Sequence, residues 1–121
     1  MRFFTCGAVT CCLLLHAGMS WATNCAALNN IATKDGAFVP GSDAGRVVTG
    51  HGRLQFYSAP NYSCKMKGIF VIEGQTVNAY FEYAAFTSVV YSSDKSSKPV
   101  IGWVRSDRLK RNGLGIGPTQ K

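Results

Sequence analysis

Val100-Ile-Gly-Trp-Val-Arg-Ser-Asp-Arg-Leu-Lys110 is the stretch that decides the fold class of this chain. A short apolar strand carrying Gly102-Trp103 runs into a polar turn and ends on one leucine, Leu109. Side chains alternate along a strand, so Ile101 and Trp103 share one face while Val100, Gly102 and Val104 share the other. Both faces are largely apolar, which reads as the closing strand of a small β-barrel, buried inside a closed sheet. Ser106 and Asp107 offer side-chain oxygens to cap a single helical turn that returns Leu109 to the core.

The residues before it repeat the β pattern. Leu54 and Phe56 alternate with Arg53, Gln55 and Tyr57, as in a half-buried strand. A loop of roughly ten residues follows from Ser58 to Gly68, with a Pro60-Asn61 turn signal and a cluster of Tyr62, Lys65 and Lys67. Ile69 to Ile72 is a short apolar strand that stops at Glu73-Gly74. Thr76 to Tyr83 alternates again, with Val77, Ala79, Phe81 and Tyr83 on one side. Thr87 to Tyr91 is β-branched and aromatic, and Ser92 to Pro99 reads as a polar hairpin loop before Val100. Five short strands with turn signals every eight to twelve residues predict an all-β, five-stranded barrel rather than a helical fold.

The chain starts with one arginine, Arg2, and an apolar run from about Phe3 to Leu15, followed by Ser20-Trp21-Ala22. This is the pattern of a secretory signal peptide cleaved near Ala22, and the run is short for a membrane span, which needs about 20 apolar residues. The expected address is the periplasm or the exterior. The whole chain of 121 residues carries 13 Lys/Arg and six Asp/Glu, for a net charge of +7. Without residues 1–22 it loses Arg2, Cys6, Cys11 and Cys12, leaving 99 residues with a net charge of about +6 and two cysteines. In an oxidising compartment those two, Cys25 and Cys64, are expected to pair, closing a loop of about 40 residues. Residues 23–50 show many turn formers and little periodicity: one helical turn from Cys25, a hairpin tip at Asp35-Gly36 and an ordered wrap are expected there. The predicted organisation is a leader at 1–22, an N-terminal extension at 23–50, a barrel at 51–111 and a flexible, glycine-rich tail at 112–121.

Taken together, Leu54-Gln-Phe-Tyr-Ser-Ala-Pro60, Phe70-Val-Ile-Glu-Gly74, Val77-Asn-Ala-Tyr80, Phe86-Thr-Ser-Val-Val-Tyr91 and Gly102-Trp-Val-Arg105 with Leu109 resemble the bacterial SH3 (SH3b) family over about Gly52 to Lys110. The resemblance implies an SH3-like barrel whose loops flank an aromatic groove. Phe86 stands where that family often has Trp, which implies a narrower or differently shaped groove. It also implies ligand recognition rather than catalysis, since such domains accompany cell-wall peptidases and no peptidase domain is attached here.

The inventory points the same way. His51 is the one histidine after the leader, so neither a Cys-His nor a Ser-His-Asp constellation can be assembled around more than that residue. Cys64 would have to be free to act as a nucleophile, in conflict with the expected disulfide, and Glu73 and Glu82 have simpler roles at a turn and on a solvent face. No cluster of His, Cys and carboxylates has metal-ligand spacing. The chain reads as a non-enzyme with no cofactor and no metal.

Two binding surfaces are expected. One is the loop after the first barrel strand with the hairpin loop that faces it: Tyr57, Asn61, Tyr62, Lys65, Lys67, Tyr91 and Trp103. The other is the basic C-terminal third, represented by Arg105, Arg108 and Lys110, which attracts an acidic partner. Nucleic acid and stable membrane insertion are not expected. Three functions fit: an immunity or inhibitor protein that binds and blocks a secreted toxin or cell-wall hydrolase, a peptidoglycan-binding module, and a structural subunit of an envelope complex.

Overall fold

The computed structural model describes residues 23–93 and 98–115, so the expected leader at 1–22, the centre of the expected hairpin loop at 94–97 and residues 116–121 lie outside the described residues. Among the described residues one α-helix, α1 (Cys25–Asp35), precedes eight strands: β1 (Ala37–Phe38), β2 (Gly45–Val48), β3 (Leu54–Tyr57), β4 (Lys65–Val71), β5 (Thr76–Tyr83), β6 (Phe86–Tyr91), β7 (Val100–Arg105) and β8 (Leu109–Arg111). They form one antiparallel sheet in the order β4-β3-β7-β6-β5-β2-β8, with β1 paired to β5. No ladder joins β4 to β8, so the sheet is open rather than a closed five-stranded barrel.

The sheet covers itself. Val48, Leu54, Phe56, Val71, Val77, Ala79, Val89 and Val104, drawn from six strands, are at most 3% exposed and form one cluster with Val39 and Ala44. Among the described residues only those two loop positions join the strands on that inner face, so the burial comes from the sheet curling around its own side chains. Gly102 marks a close approach within it. A Cβ there would meet Phe56 Cδ2 at 2.9 Å, Met66 Sδ at 3.0 Å and the Tyr57 carbonyl at 3.0 Å.

β7 alternates as its sequence dictates, but its two faces meet different partners. Val104 packs in the inner cluster with Val100 against it, whereas Trp103 joins Tyr57, Phe86 and Ala32 of α1 on the outer face. Trp103, 1% exposed, is thus neither inner core nor open groove. Ile101, on the same outer face but beyond that cluster, is 63% exposed.

Three sequence expectations change in β5, α1 and the turn after β7. Strict alternation places Val77, Ala79, Phe81 and Tyr83 together; instead the β5–β6 register slips between Ala79 and Phe81, where two residues on β5 face one on β6. That β-bulge turns Phe81 and Tyr83 to the outer cluster and leaves Val77 and Ala79 inside. The bulged Tyr80 carbonyl accepts the Val39 amide at 2.8 Å, which fastens the segment after β1. After β7, Ser106–Arg108 is a 3-10 turn without a side-chain cap. The Ser106 hydroxyl pairs with Thr87 Oγ1 at 2.7 Å instead, and Leu109 still packs on the core.

Residues 23–50 are part of the fold rather than an appendage. The Asn24 side chain caps α1 by accepting the Ala27 amide at 3.0 Å, and the Ala-rich run carries the helix to Asp35. Gly36 is therefore a helix cap and not a hairpin tip, its amide bonding the Ala32 carbonyl at 2.8 Å. β2, unmarked by periodicity in four residues, is held between β5 and β8. The Cys25–Cys64 disulfide joins the first residue of α1 to the 3-10 turn Tyr62–Cys64. Of the expected tail, residues 112–114 run beside Gly45, whose amide bonds the Leu114 carbonyl at 2.8 Å.

Candidate functional site

α1 crosses the outer sheet face and leaves an aromatic end uncovered. Tyr57 is placed opposite Trp103 in the β3–β7 ladder, and Phe86 opposite Arg105 in the β6–β7 ladder. Tyr57 and Phe86 meet edge to face at 5.4 Å between centroids. Tyr62, on the 3-10 turn, stands against both, at 5.6 Å from Tyr57 and 5.2 Å from Phe86. Tyr57 and Phe86 are buried while Tyr62 is 61% exposed, so one ring is presented to solvent by two that cannot move. Burial pushes the Tyr57 hydroxyl above its usual value, with the neighbouring Tyr62 adding to the rise and Arg105 opposing it.

A depression of about 350 Å³ opens beside that ring, lined by Tyr62, Ala85, Arg105, Ser106 and Asp107. Arg105 donates from Nε to Asp107 Oδ1 and from a terminal nitrogen to Oδ2, both at 3.1 Å. The Ser106 amide bonds the Ala85 carbonyl at 2.9 Å and fixes the opposite rim. Ala84, next to Ala85, holds a φ of 54°, a left-handed conformation that costs a residue with a Cβ roughly 1 kcal/mol or more. The tight turn between β5 and β6 imposes it, and the same turn supplies the pocket wall.

The predicted binding residues divide into those gathered here and those that serve the fold. Tyr57, Tyr62 and Arg105 come together, and Lys65 lies opposite Tyr57 across the β3–β4 ladder. Lys67 is exposed on the same strand, and Lys110 is exposed on β8. Asn61 faces inward to its own turn, accepting the Ser63 amide at 2.8 Å. Tyr91 packs on the inner cluster and its hydroxyl takes a hydrogen bond from Gln75 at 2.8 Å. Trp103 is covered by α1, its indole N–H donating to Asn29 Oδ1 at 2.7 Å.

Arg108 is a structural clamp rather than a partner-facing charge. Its guanidinium binds the Thr49 carbonyl, the Gly50 carbonyl at 3.2 Å and the Gly52 carbonyl at 2.9 Å. Gly50, with a φ of 84°, lies directly beneath it, so a side chain there would be both strained and obstructed. Arg111 pairs with Asp43, and buried Arg46 donates to the Asp43 carbonyl at 2.6 Å and lies 3.7 Å from Glu82. The basic surface is accordingly carried by lysines more than by the arginines of the C-terminal third.

Phe86, Ala85, Ser106, Asp107 and Asn29 belong to this region and were not singled out as site residues by the sequence reading. Phe86 had a signal, its place in the aromatic run; Asn29 had none, since its partner is 74 residues away. Among the described residues no group of three His, Cys, Asp or Glu side chains could hold a metal ion. No protein-family model, curated protein or solved structure matches the chain.

Proposed function

We propose that this chain is an extracytoplasmic, non-enzymatic binding protein of the bacterial SH3-like kind, acting as an immunity or inhibitor protein against a secreted toxin or cell-wall hydrolase. Strands β3 to β7 carry the residues of that resemblance, and residues 23–50 add a helix and two further strands, β1 and β2. The observation that carries the reading is the Tyr62 platform: an exposed ring fixed by two buried ones beside a forked arginine. Protein interfaces draw most of their energy from such anchors, because a ring held in place loses little side-chain entropy on binding. Steric blockade follows, with Tyr62 entering the partner's cleft and Lys65, Lys67 and Lys110 speeding encounter with an acidic partner.

The test is capture from envelope extract on the oxidised protein, in parallel with sedimentation on purified peptidoglycan. One protein retained in stoichiometric amount, released by salt, lost with Tyr62→Ala and inhibited in its own activity supports the reading. Co-sedimentation with peptidoglycan without a protein partner would replace it with wall binding. Charge effects belong on Lys65→Glu with Lys67→Glu, because Arg108→Glu also breaks the clamp on Thr49, Gly50 and Gly52.

A further inference from the structure

Resting on that binding reading, we infer that the depression beside Tyr62 is a socket for one acidic side chain of the partner protein, and that Asp107 is an internal stand-in for it.

The socket has the chemistry of a carboxylate site. Arg105 is part-exposed on the outer face, with 39% of its side chain accessible, and it lines the depression with its guanidinium held to Asp107. Its Nε edge presents two parallel donors, the geometry that matches a carboxylate. Asp107 already fills that edge through contacts of 3.0 to 3.1 Å. Asp107 is itself 69% exposed and only two residues along the chain. An exposed pair of this type is worth at most about 1 kcal/mol, so an incoming carboxylate can displace it.

The walls fit the rest of such a side chain. Tyr62 and Ala85 offer apolar surface to a methylene stem, and Ser106 gives a polar rim. The volume, about 350 Å³, is at the small end for ligand pockets and suits one side chain with its backbone better than an extended ligand. Lys65, across the ladder from Tyr57, adds a second positive charge to this face. A lysine or arginine as occupant meets the opposite situation, since it would have to replace Arg105 on Asp107.

The proposal is tested by titrating the isotopically labelled, oxidised protein with two blocked peptides, acetyl-Ala-Glu-Ala-amide and acetyl-Ala-Gln-Ala-amide, following amide and Arg Nε–H signals by NMR. The glutamate peptide should shift Arg105 Nε–H, Ser106 and Ala85 saturably, and the glutamine peptide should not. Asp107→Asn should bind the glutamate peptide at least threefold more tightly. Arg105→Lys, which keeps the charge and loses the fork, should bind at least fivefold more weakly, with the Trp103 indole signal unchanged as evidence that the fold is intact. Equal responses to the two peptides, or an Asp107→Asn variant that binds no more tightly, overturns the proposal. So does a stronger response to a murein fragment with an amidated stem than to the glutamate peptide. Capture from extract and this titration can fail separately: the first removes the protein partner, the second removes the acidic occupant of the socket.

Discussion

Asn29→Ala measures what holds α1 on the sheet. Trp103 is 1% exposed and its indole N–H donates to Asn29 Oδ1 at 2.7 Å. Removing the acceptor strands a buried donor, a loss of about 1–3 kcal/mol, and because Asn29 is itself half-buried a water can partly replace it, which places the cost near 1.5 kcal/mol. Alanine is also a better helix former than asparagine by roughly 0.5 kcal/mol, so the net loss in Asn29→Ala is about 1 kcal/mol. For a domain of this size that lowers the melting midpoint by roughly 4–8 °C. In a Trp103→Phe background no N–H is left to strand, so only the helix-propensity gain remains and Asn29→Ala becomes slightly stabilising. Chemical denaturation of the four proteins of this cycle should give a coupling energy of about 1.5 kcal/mol. A coupling below about 0.5 kcal/mol refutes the reasoning, because the hydrogen bond would then not be what fastens the helix.

The disulfide spans 39 residues, so Cys25→Ser with Cys64→Ala should lower the unfolding free energy by about 4 kcal/mol in urea titrations, most of the stability of a marginal domain. Gly102→Ala places a methyl against Phe56, Met66 and the Tyr57 carbonyl, and should cost about 1–3 kcal/mol by calorimetry; a stability within 0.5 kcal/mol of the parent, a figure of the order expected for exposed sites, would show that the inner face is looser than its contacts imply. For pH, the raised Tyr57 pKa means the unfolded chain loses its proton first, so this contribution to stability is intact below about pH 10, the ordinary tyrosine value, and is lost as pH rises further. Urea titrations across that range should show a fall in stability that is smaller in Tyr57→Phe than in the parent.

Local pattern was enough for the centre of the fold and for part of the site. The alternation of Leu54 and Phe56 with Gln55 and Tyr57, and of Val100 and Val104 with Trp103, is a property of extended backbone, so the faces they occupy could be read directly from spacing. The turn pair Glu73-Gly74 separates β4 from β5 as its residue types require, Gly74 holding a φ of 91°. The two cysteines of residues 23–121, Cys25 and Cys64, suffice to predict the bridge that the structure contains. Tyr57, Tyr62 and Arg105 could be named because aromatic and cationic side chains near turns are chemically conspicuous.

What local pattern could not carry was every relation between residues distant in sequence. The bulge at Tyr80 depends on how β5 meets β6, and it reverses the faces of Phe81 and Tyr83 without altering a letter of their alternation. β2 has four residues and no period of its own, and is a strand because β5 and β8 offer it two ladders. Arg108 and Arg105 look alike in the sequence and differ only in what lies opposite: three backbone carbonyls for one, an aspartate at the rim of a pocket for the other. Composition and spacing therefore specified a small β-rich, disulfide-linked domain with a basic surface. Which arginine serves the fold, which aromatic ring meets solvent and which tryptophan lies beneath a helix were decided by long-range packing, since hydrogen-bond partners and burial are properties of the assembled structure.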